Sequence, residues 1–448
     1  MGLTGIQIYK LLPKTNCGEC GVPTCLAFAM ALAAGKAELA SCPYVSEEAK
    51  ELLSEASAPP IRPVVIGAGD RTLKIGGETV LFRHEKTFFN PPGIAVRVTD
   101  AMSQEELEGR LKRFQELQYE RVGLTLRPDL VAIQAMDGDG GKFAALVEKV
   151  KGATNAPLVL MAADPKVMEA GLKIAGDRRP LLYAATSANA DAMAGLAKAH
   201  NCPLAVKGKD LDEVASLTGK LTEGGLKDLV IDSGSREFRK GLEDQIFIRR
   251  SALLKKFRPL GFPTIAFPCE MTDDFRKETV LAAAFIAKYG GIIVLSDLQG
   301  HSLFPLALAR MNIYTDPQRP MATSPGIYEI NGPDANSPVC VTSNFSLTYF
   351  IVSGEIESSR VPTWLLVMDT EGLSVMTAWA AGKFVGDAIG IFMKKSGVVD
   401  KVKHKKVIIP GYAAGISGDL EEELVDWEVR VGPREASHLP ACLKEWKP

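Results

Sequence analysis

Four of the chain's eight cysteines, Cys17, Cys20, Cys25 and Cys42, fall in its first 42 residues, in NCGECGVPTC and SCPY. The others, Cys202, Cys269, Cys340 and Cys442, are scattered through apolar stretches, where a free cysteine is usually a small buried hydrophobe. Thiolates with two, four and sixteen residues between them can converge on one soft metal centre. By ligand type, tetrahedral zinc and an iron–sulfur cluster are equally served. A zinc ribbon repeats its C-x2-C knuckle; here C-x2-C runs into C-x4-C, and the last ligand stands alone before Pro43. Three close ligands and a distant Cys-Pro favour a [4Fe–4S] cluster, although neither ferredoxin spacing is matched. Gly18 and Gly21 let the backbone fold tightly and turn N–H groups inward. Zinc stays open as the alternative. A disulfide pair is disfavoured, since nothing indicates export.

Conventional catalysis finds little support elsewhere. His84, His200, His301, His404 and His438 share no metal-ligand spacing, and no nucleophile-elbow or P-loop motif is present. GYAAGISG at 411–418 lacks the dinucleotide register. The C-terminal turns are more informative together. TSNFSLT offers Thr342, Asn344, Ser346 and Thr348 after a strand-like run; DTEGLSV offers Thr370, Gly372, Leu373, Ser374 and Val375. PGYAAG adds Gly411 and Ala413, and VGPREA adds Gly432, Pro433 and Arg434. Such a floor of hydroxyls and small residues suits a large flat cofactor with polar side groups, or four ordinary strand-to-helix turns.

These residues need elements to hold them. An Ala/Leu-rich helix is expected over 26–40, and a second from a Ser46 cap, with Glu47 and Glu48 in its first turn, to about Ser57. APPIRP then reads as a stiff linker, and TLKIGGETVLFR as a hairpin turning at Gly76-Gly77. Between 94 and 295 eight apolar runs (at 94, 131, 158, 181, 203, 229, 264 and 292) alternate with helical stretches. That pattern predicts a (β/α)8 barrel, with a doubly wound open sheet as the alternative. Asp137, Asp164, Asp232 and Asp297 follow strands, a position held more often by helix caps than by catalysts. A polar, Pro-rich stretch at 314–326 precedes a smaller α/β domain whose runs include the four turns above and one long helix closed by Gly397. The limits read from the sequence are 1–58 for the cluster domain, 59–92 for a linker with its hairpin, 93–313 for the barrel and 326–448 for the α/β domain.

Composition excludes several partners. Lys plus Arg is 52 against 54 Asp plus Glu, so no basic stripe for nucleic acid is expected. No apolar run reaches the roughly 18 residues that span a bilayer, and the first residues lack a signal pattern. A cytoplasmic protein is expected.

With NCGECG-PTC, SCPY, TSNFSLTY, DTEGLSV and VGPREA in place, the whole chain resembles the large subunits of corrinoid iron–sulfur proteins of the anaerobic acetyl-CoA pathway. The resemblance implies a [4Fe–4S] cluster on Cys17, Cys20, Cys25 and Cys42, a TIM-like barrel, and a Rossmann-like domain binding a cobamide. It implies a methyl carrier: Co(I) accepts a methyl group from methyltetrahydrofolate through a methyltransferase, and methyl-Co(III) delivers it to acetyl-CoA synthase. The cluster would return stray Co(II) to Co(I). Implied partners are a smaller subunit forming a heterodimer, that methyltransferase, CO dehydrogenase/acetyl-CoA synthase and a reductive activator. Gly372 to Val375 would lie beneath the corrin and Thr342, Asn344 and Thr348 at its periphery. No D-x-H-x-x-G motif supplies a histidine to cobalt, so the corrinoid would be base-off. The rivals are a pterin-dependent barrel methyltransferase and an electron-transfer or scaffold subunit without corrinoid.

Overall fold

The structure is a computed structural model and describes residues 4–33, 37, 39–46, 49–50, 53 and 59–448. The chain divides into two compact units. The first comprises residues 1–118 and 127–314, the second residues 119–126 and 315–448.

In the first unit, helices Gly5–Leu11 and Cys25–Ala33 pack around Ile8, Leu12 and Phe28. The expected helix over 26–40 is described as far as Ala33; beyond it, residues 34–36 and 38 lie outside the described residues. Ser46 does cap, its Oγ accepting from the Ala49 N–H at 3.2 Å, while Glu47, Glu48 and most of the stretch to Ser57 also lie outside. Strands β1 (Val64–Ala68) and β2 (Arg71–Ile75) then form an antiparallel hairpin. Its turn is Gly69-Asp70, one strand earlier than the alternation about Gly76-Gly77 predicts. Both later glycines adopt positive φ and end β2, with the Gly77 N–H donating to the Ile61 carbonyl.

Eight parallel strands follow among the described residues: β3 (Gly93–Thr99), β6 (Leu130–Gln134), β7 (Leu158–Met161), β8 (Leu181–Ala185), β9 (Leu204–Lys207), β10 (Leu229–Asp232), β11 (Ile265–Ala266) and β12 (Ile292–Leu295). They pair in the order β10-β9-β8-β7-β6-β3-β12-β11, and a bridge from Ile231 to Thr264 brings β10 to the β11 end. The open-sheet alternative falls; the sheet is a nearly closed barrel. Helices Gly140–Ala153, Pro165–Ala175, Leu211–Glu223 and Phe275–Ala287 start on Asp139, Asp164, Asp210 and Asp274, each accepting from first-turn N–H groups. Inward residues such as Leu130, Val159, Leu181, Val230 and Val294 share one core with Val64, Ile66 and Ile75 of the hairpin, which plugs the strands' N-terminal end. A side chain at Gly93, the first residue of β3, would overlap Leu73 of that plug.

The second unit holds a five-stranded sheet: β13 (Gly326–Ile330), β14 (Val339–Ser343), β15 (Thr363–Met368), β16 (Lys406–Ile409) and β17 (Glu428–Val431), in the order β13-β15-β14-β16-β17. The last four are parallel and β13 is an antiparallel edge. The order reverses between β14 and β16, which puts the ligand crevice of a doubly wound sheet at their C-terminal ends. The single long helix expected here is two, Val375–Ala380 and Gly386–Ser396. Gly382 at φ +70° breaks it, its N–H and that of Lys383 closing the first helix on Trp379 and Ala378. A two-residue hairpin, β4 (Tyr119–Arg121) with β5 (Leu124–Leu126), joins this unit although it sits between barrel elements in sequence. Gly123 at its tip leaves no room for a Cβ against the Phe350 ring, 2.7 Å away.

Candidate cofactor sites

The cysteine segment is built on left-handed backbone. Lys14, Asn16, Gly18 and Gly21 all have positive φ, and Gly21 N–H donates to Gly18 O at 3.0 Å. Asn16 fastens the loop to the following helix, its Oδ1 accepting from Cys25 N–H (2.8 Å) and its own N–H donating to Cys25 Sγ (3.4 Å). Cys25 and Cys42 are buried in one apolar cluster and Cys20 packs against it; Cys17 is exposed. Tyr44 donates to Glu19 at 2.9 Å, and its phenol is held above the ordinary range by that hydrogen bond and the Glu19 charge, with smaller contributions from Cys17 and Cys42. All eight cysteines are free. Among the described residues no three His, Cys, Asp or Glu side chains meet closely enough to hold one ion. Cys17, Cys20, Cys25 and Cys42 would be the thiols to hold an iron–sulfur cluster, and the free thiols of this one segment have the donor chemistry for it.

In the second unit a largely apolar cleft of about 930 Å³, counted to its open mouth, lies at the sheet's switch point. Thr342, next to last in β14, lies on one side; Ile408 and Ile409 at the end of β16, with Pro410 after them, lie on the other. The turn after β15 contributes Ser374, Val375 and Met376, the turn after β17 Gly432, Pro433 and Arg434, and helix Ser346–Ser359 contributes Thr348, Ile351 and Val352. Of the residues expected from sequence, Thr342, Thr348, Ser374, Val375, Gly432, Pro433 and Arg434 line this one cleft. Tyr412 and Cys340 line it too and were not expected; Tyr412 sits mid-turn in PGYAAG, where its aromatic ring was the available signal. Burial pushes the Cys340 thiol up to about 12, so it is an inert wall.

The remaining expected residues shape the cleft from behind. Asn344, 3% exposed, accepts on Oδ1 from Thr370 N–H (2.9 Å), Thr370 Oγ1 (2.8 Å) and Gly372 N–H (2.9 Å), and donates to Asp369 at 3.2 Å. It therefore pins the turn after β15 and has no acceptor turned to the cleft, where the sequence placed it at a cofactor's periphery. Thr370 spends its hydroxyl on Asn344 and the Leu373 carbonyl. Ser346 is buried against Thr323, Ala413 is in the core, and Leu373 packs against that core. Gly411 is where two turns touch: a Cβ there would meet Gly432 O at 2.6 Å and Arg434 N at 2.7 Å.

One atom of the cleft lining stands out. Thr342 Oγ1 is buried, the residue 1% exposed, and it has no hydrogen-bond partner. An unpaired buried hydroxyl costs roughly 1–3 kcal/mol, so a bound group that satisfies it fits. Among the described residues lining the cleft there is no histidine, and one charge, Arg434. His404, the buried one, is tied to Ser337 O at 2.8 Å.

The barrel's strand-end aspartates divide. Asp164 is a helix cap, Asp137 an exposed partner of Lys142, and Asp297 a bidentate partner of Arg113. Asp232 is buried and accepts from Tyr183 Oη at 2.5 Å, while Arg236 Nη2 reaches it at 2.8 Å. Burial, then the Asp232 charge, raises the Tyr183 phenol well above its ordinary range.

A loop segment rich in cysteine, a barrel, and a doubly wound domain with a largely apolar cleft define a carrier of bound cofactors. A family model described as the CO dehydrogenase/acetyl-CoA synthase delta subunit matches residues 63–443, and an Fe-S cluster family matches residues 12–44. The corrinoid/iron-sulfur protein large subunit of Moorella thermoacetica is 49% identical over 444 residues, 99% of each chain. An acetyl-CoA decarbonylase/synthase complex gamma subunit from Methanopyrus kandleri is 39% identical over 99% of this chain and 98% of its own. The chain belongs to this family of corrinoid iron–sulfur large, or gamma, subunits. The delta-subunit family model starts at residue 63, beyond Cys42, whereas these relatives match 99% of the chain. A Yersinia pestis dihydropteroate synthase structure shares 11% identity over 50% of this chain and 94% of its own, with a TM-score of 0.36, too slight a likeness to bear on chemistry.

Proposed function

We propose that the chain is the cofactor-bearing subunit of a methyl carrier for acetyl-CoA synthesis, holding a base-off corrinoid in the cleft and a [4Fe–4S] cluster on Cys17, Cys20, Cys25 and Cys42. The observation that carries the reading is the orphaned Thr342 hydroxyl in a largely apolar cleft at the switch point, whose described lining has one charge and no histidine. When bound, the corrinoid supplies a cobalt that takes up and releases a methyl group, and the cluster supplies single electrons. The chain supplies the setting. Thr342, Thr348 and Ser374 offer hydroxyls to the macrocycle's polar arms, Gly411 and Gly432 let the turns after β16 and β17 pack closely on each other and on β16, and Val341, Ile351, Val352 and Ile408 exclude water. Asn344 holds the turn from Thr370 to Val375 in shape. The described lining of the cleft includes no histidine that could offer an imidazole to a bound corrinoid.

Residues 1–58 serve as the cluster domain, 59–92 as a linker with its hairpin, 93–313 as the barrel and 326–448 as the corrinoid domain. The partners are a smaller subunit, a methyltetrahydrofolate-dependent methyltransferase, CO dehydrogenase/acetyl-CoA synthase and a reductive activator, all in the cytoplasm. No described helix is long and apolar enough to cross a membrane. The test is an anaerobic absorption spectrum of the chain reconstituted with its small subunit, iron, sulfide and a cobamide. Corrinoid bands that interconvert on reduction are expected; a complex that retains no corrinoid after gel filtration overturns the reading.

A further inference from the structure

One cation stands at the mouth of the C-terminal cleft without a carboxylate among the described residues to take it up. Arg434, exposed in the turn after β17, is the one charge in the described lining of the cleft. Among the described residues its guanidinium has no ion-pair partner; it lies over the Tyr412 ring, 5.9 Å from the ring centre. The acidic side chains of the neighbouring turns are committed elsewhere. Asp369 accepts from Glu371 N–H at 3.0 Å and from Asn344 at 3.2 Å, and Glu371 pairs with Lys383. Glu435, next to Arg434 in the chain, accepts from Tyr412 Oη at 3.0 Å.

The backbone beneath that cation is fixed. The Gly411 N–H donates to the Pro433 carbonyl at 3.1 Å and the Gly432 N–H to the Ile409 carbonyl at 2.9 Å, so the turn after β17 is bonded to the end of β16 and its turn. A Cβ at Gly411 would come within 2.7 Å of Arg434 N, which shows how closely the two turns are seated. Tyr412, from the turn after β16, supplies the ring, and Glu435 holds its hydroxyl. Arg434 therefore starts from a pinned position and rests on an aromatic face, with less freedom left to lose when it meets a ligand.

The partner for this cation follows from the charges of the cofactor. The ring arms of a cobamide end in neutral amides, and its one anionic side group is the phosphodiester in the loop that carries the nucleotide base. A guanidinium presents a planar fork that matches two phosphate oxygens. The rim is also where such a group costs least to bind, since its other oxygens stay in water. We propose, on the corrinoid reading of the cleft, that Arg434 binds the phosphodiester of the nucleotide loop. It thereby makes the cleft selective for complete cobamides over corrinoids that stop short of the phosphate.

The experiment uses the full chain with its small subunit and its cluster, freed of corrinoid. Three Co(II) corrinoids are bound anaerobically in equilibrium dialysis: cobalamin, with phosphate and base; cobinamide phosphate, with phosphate alone; and cobinamide, with neither. Arg434→Gln weakens cobalamin and cobinamide phosphate by about five- to tenfold, the size of one hydrogen-bonded charge pair at a partly solvated site, and leaves cobinamide unchanged. Arg434→Lys, which keeps the charge and loses the fork, falls between. Added salt weakens the two phosphate-bearing corrinoids on the unaltered chain, and less so on Arg434→Gln. The assignment is overturned if Arg434→Gln changes all three corrinoids alike or none of them, or if it acts on cobalamin and not on cobinamide phosphate. If none of the three binds the unaltered complex, the corrinoid reading falls and this assignment with it. Should Arg434→Gln fail to fold, judged by circular dichroism, the salt dependence of the three corrinoids on the unaltered chain decides.

Discussion

The barrel mouth and the C-terminal cleft are both formed by the ends of parallel strands, yet their chemistry is opposite. In the barrel the strand ends carry charge, and the charges are spent on each other. Asp232 holds Arg236, Arg236 and Arg97 hold Glu270, Arg113 and Arg110 hold Asp297, and Glu278 accepts from Ser296. Of these groups Asp232 is the buried member of an ion pair, 2% exposed, and removing Arg236 would leave its charge alone in the interior, which makes the pair structural by default. The cleft has hydroxyls, backbone and one charge, Arg434, at 5.9 Å over the Tyr412 ring. A cleft with a single charge, mostly apolar and lined with hydroxyls, suits a large macrocycle with amide arms. In the cleft the informative group is one left unpaired, the Thr342 hydroxyl.

The largest effect expected separates the cysteine segment from the cleft. Cys25→Ser replaces a buried thiol held by Asn16 with a poor iron ligand. Cluster absorption and the reductive recovery of inactive cobalt should vanish, while cobalt content per chain stays unchanged. Loss of cobalt together with iron would show that the two sites are one folding unit and that their separate roles are misassigned.

A smaller effect tests how the cleft is held. Asn344→Leu removes the acceptor for three donors at once, leaving the Thr370 and Gly372 N–H groups buried. The corrinoid-free chain should lose about 3 kcal/mol in urea unfolding of the transition that reports this domain. Corrinoid affinity should fall with it, because the turn through Ser374 and Val375 loosens. Unchanged affinity at reduced stability would mean that this turn does not touch the cofactor.

Much of the scaffold was readable because parallel strands buried on both faces leave short, continuous apolar runs, and all eight barrel strands did so. What escaped lacks that signature. β13 is a half-exposed edge, β4 and β5 have three residues each, and the helix break at Gly382 depends on one positive φ within an otherwise apolar stretch. The Gly76-Gly77 pair misled because two glycines that end a strand look like two that turn a hairpin. At the site, residue types in the four turns were legible, but direction was not. Asn344 and Thr342 stand two residues apart, and only the strand's register and the turn that follows decide that one points into a hydrogen-bond network and the other has no partner.

That unpaired hydroxyl gives the smallest and most discriminating prediction. Thr342→Val keeps the shape of the side chain and deletes a buried polar atom that nothing satisfies in the corrinoid-free chain. Stability of the empty protein should therefore rise, by about 1 kcal/mol. Corrinoid affinity should move the other way, falling by about five- to tenfold, because the hydroxyl finds its partner only on the cofactor. Opposite signs in one substitution mark a group kept for binding at the expense of folding. If stability and affinity rise together, the hydroxyl is a packing imperfection and the cleft holds its cofactor through the turns alone.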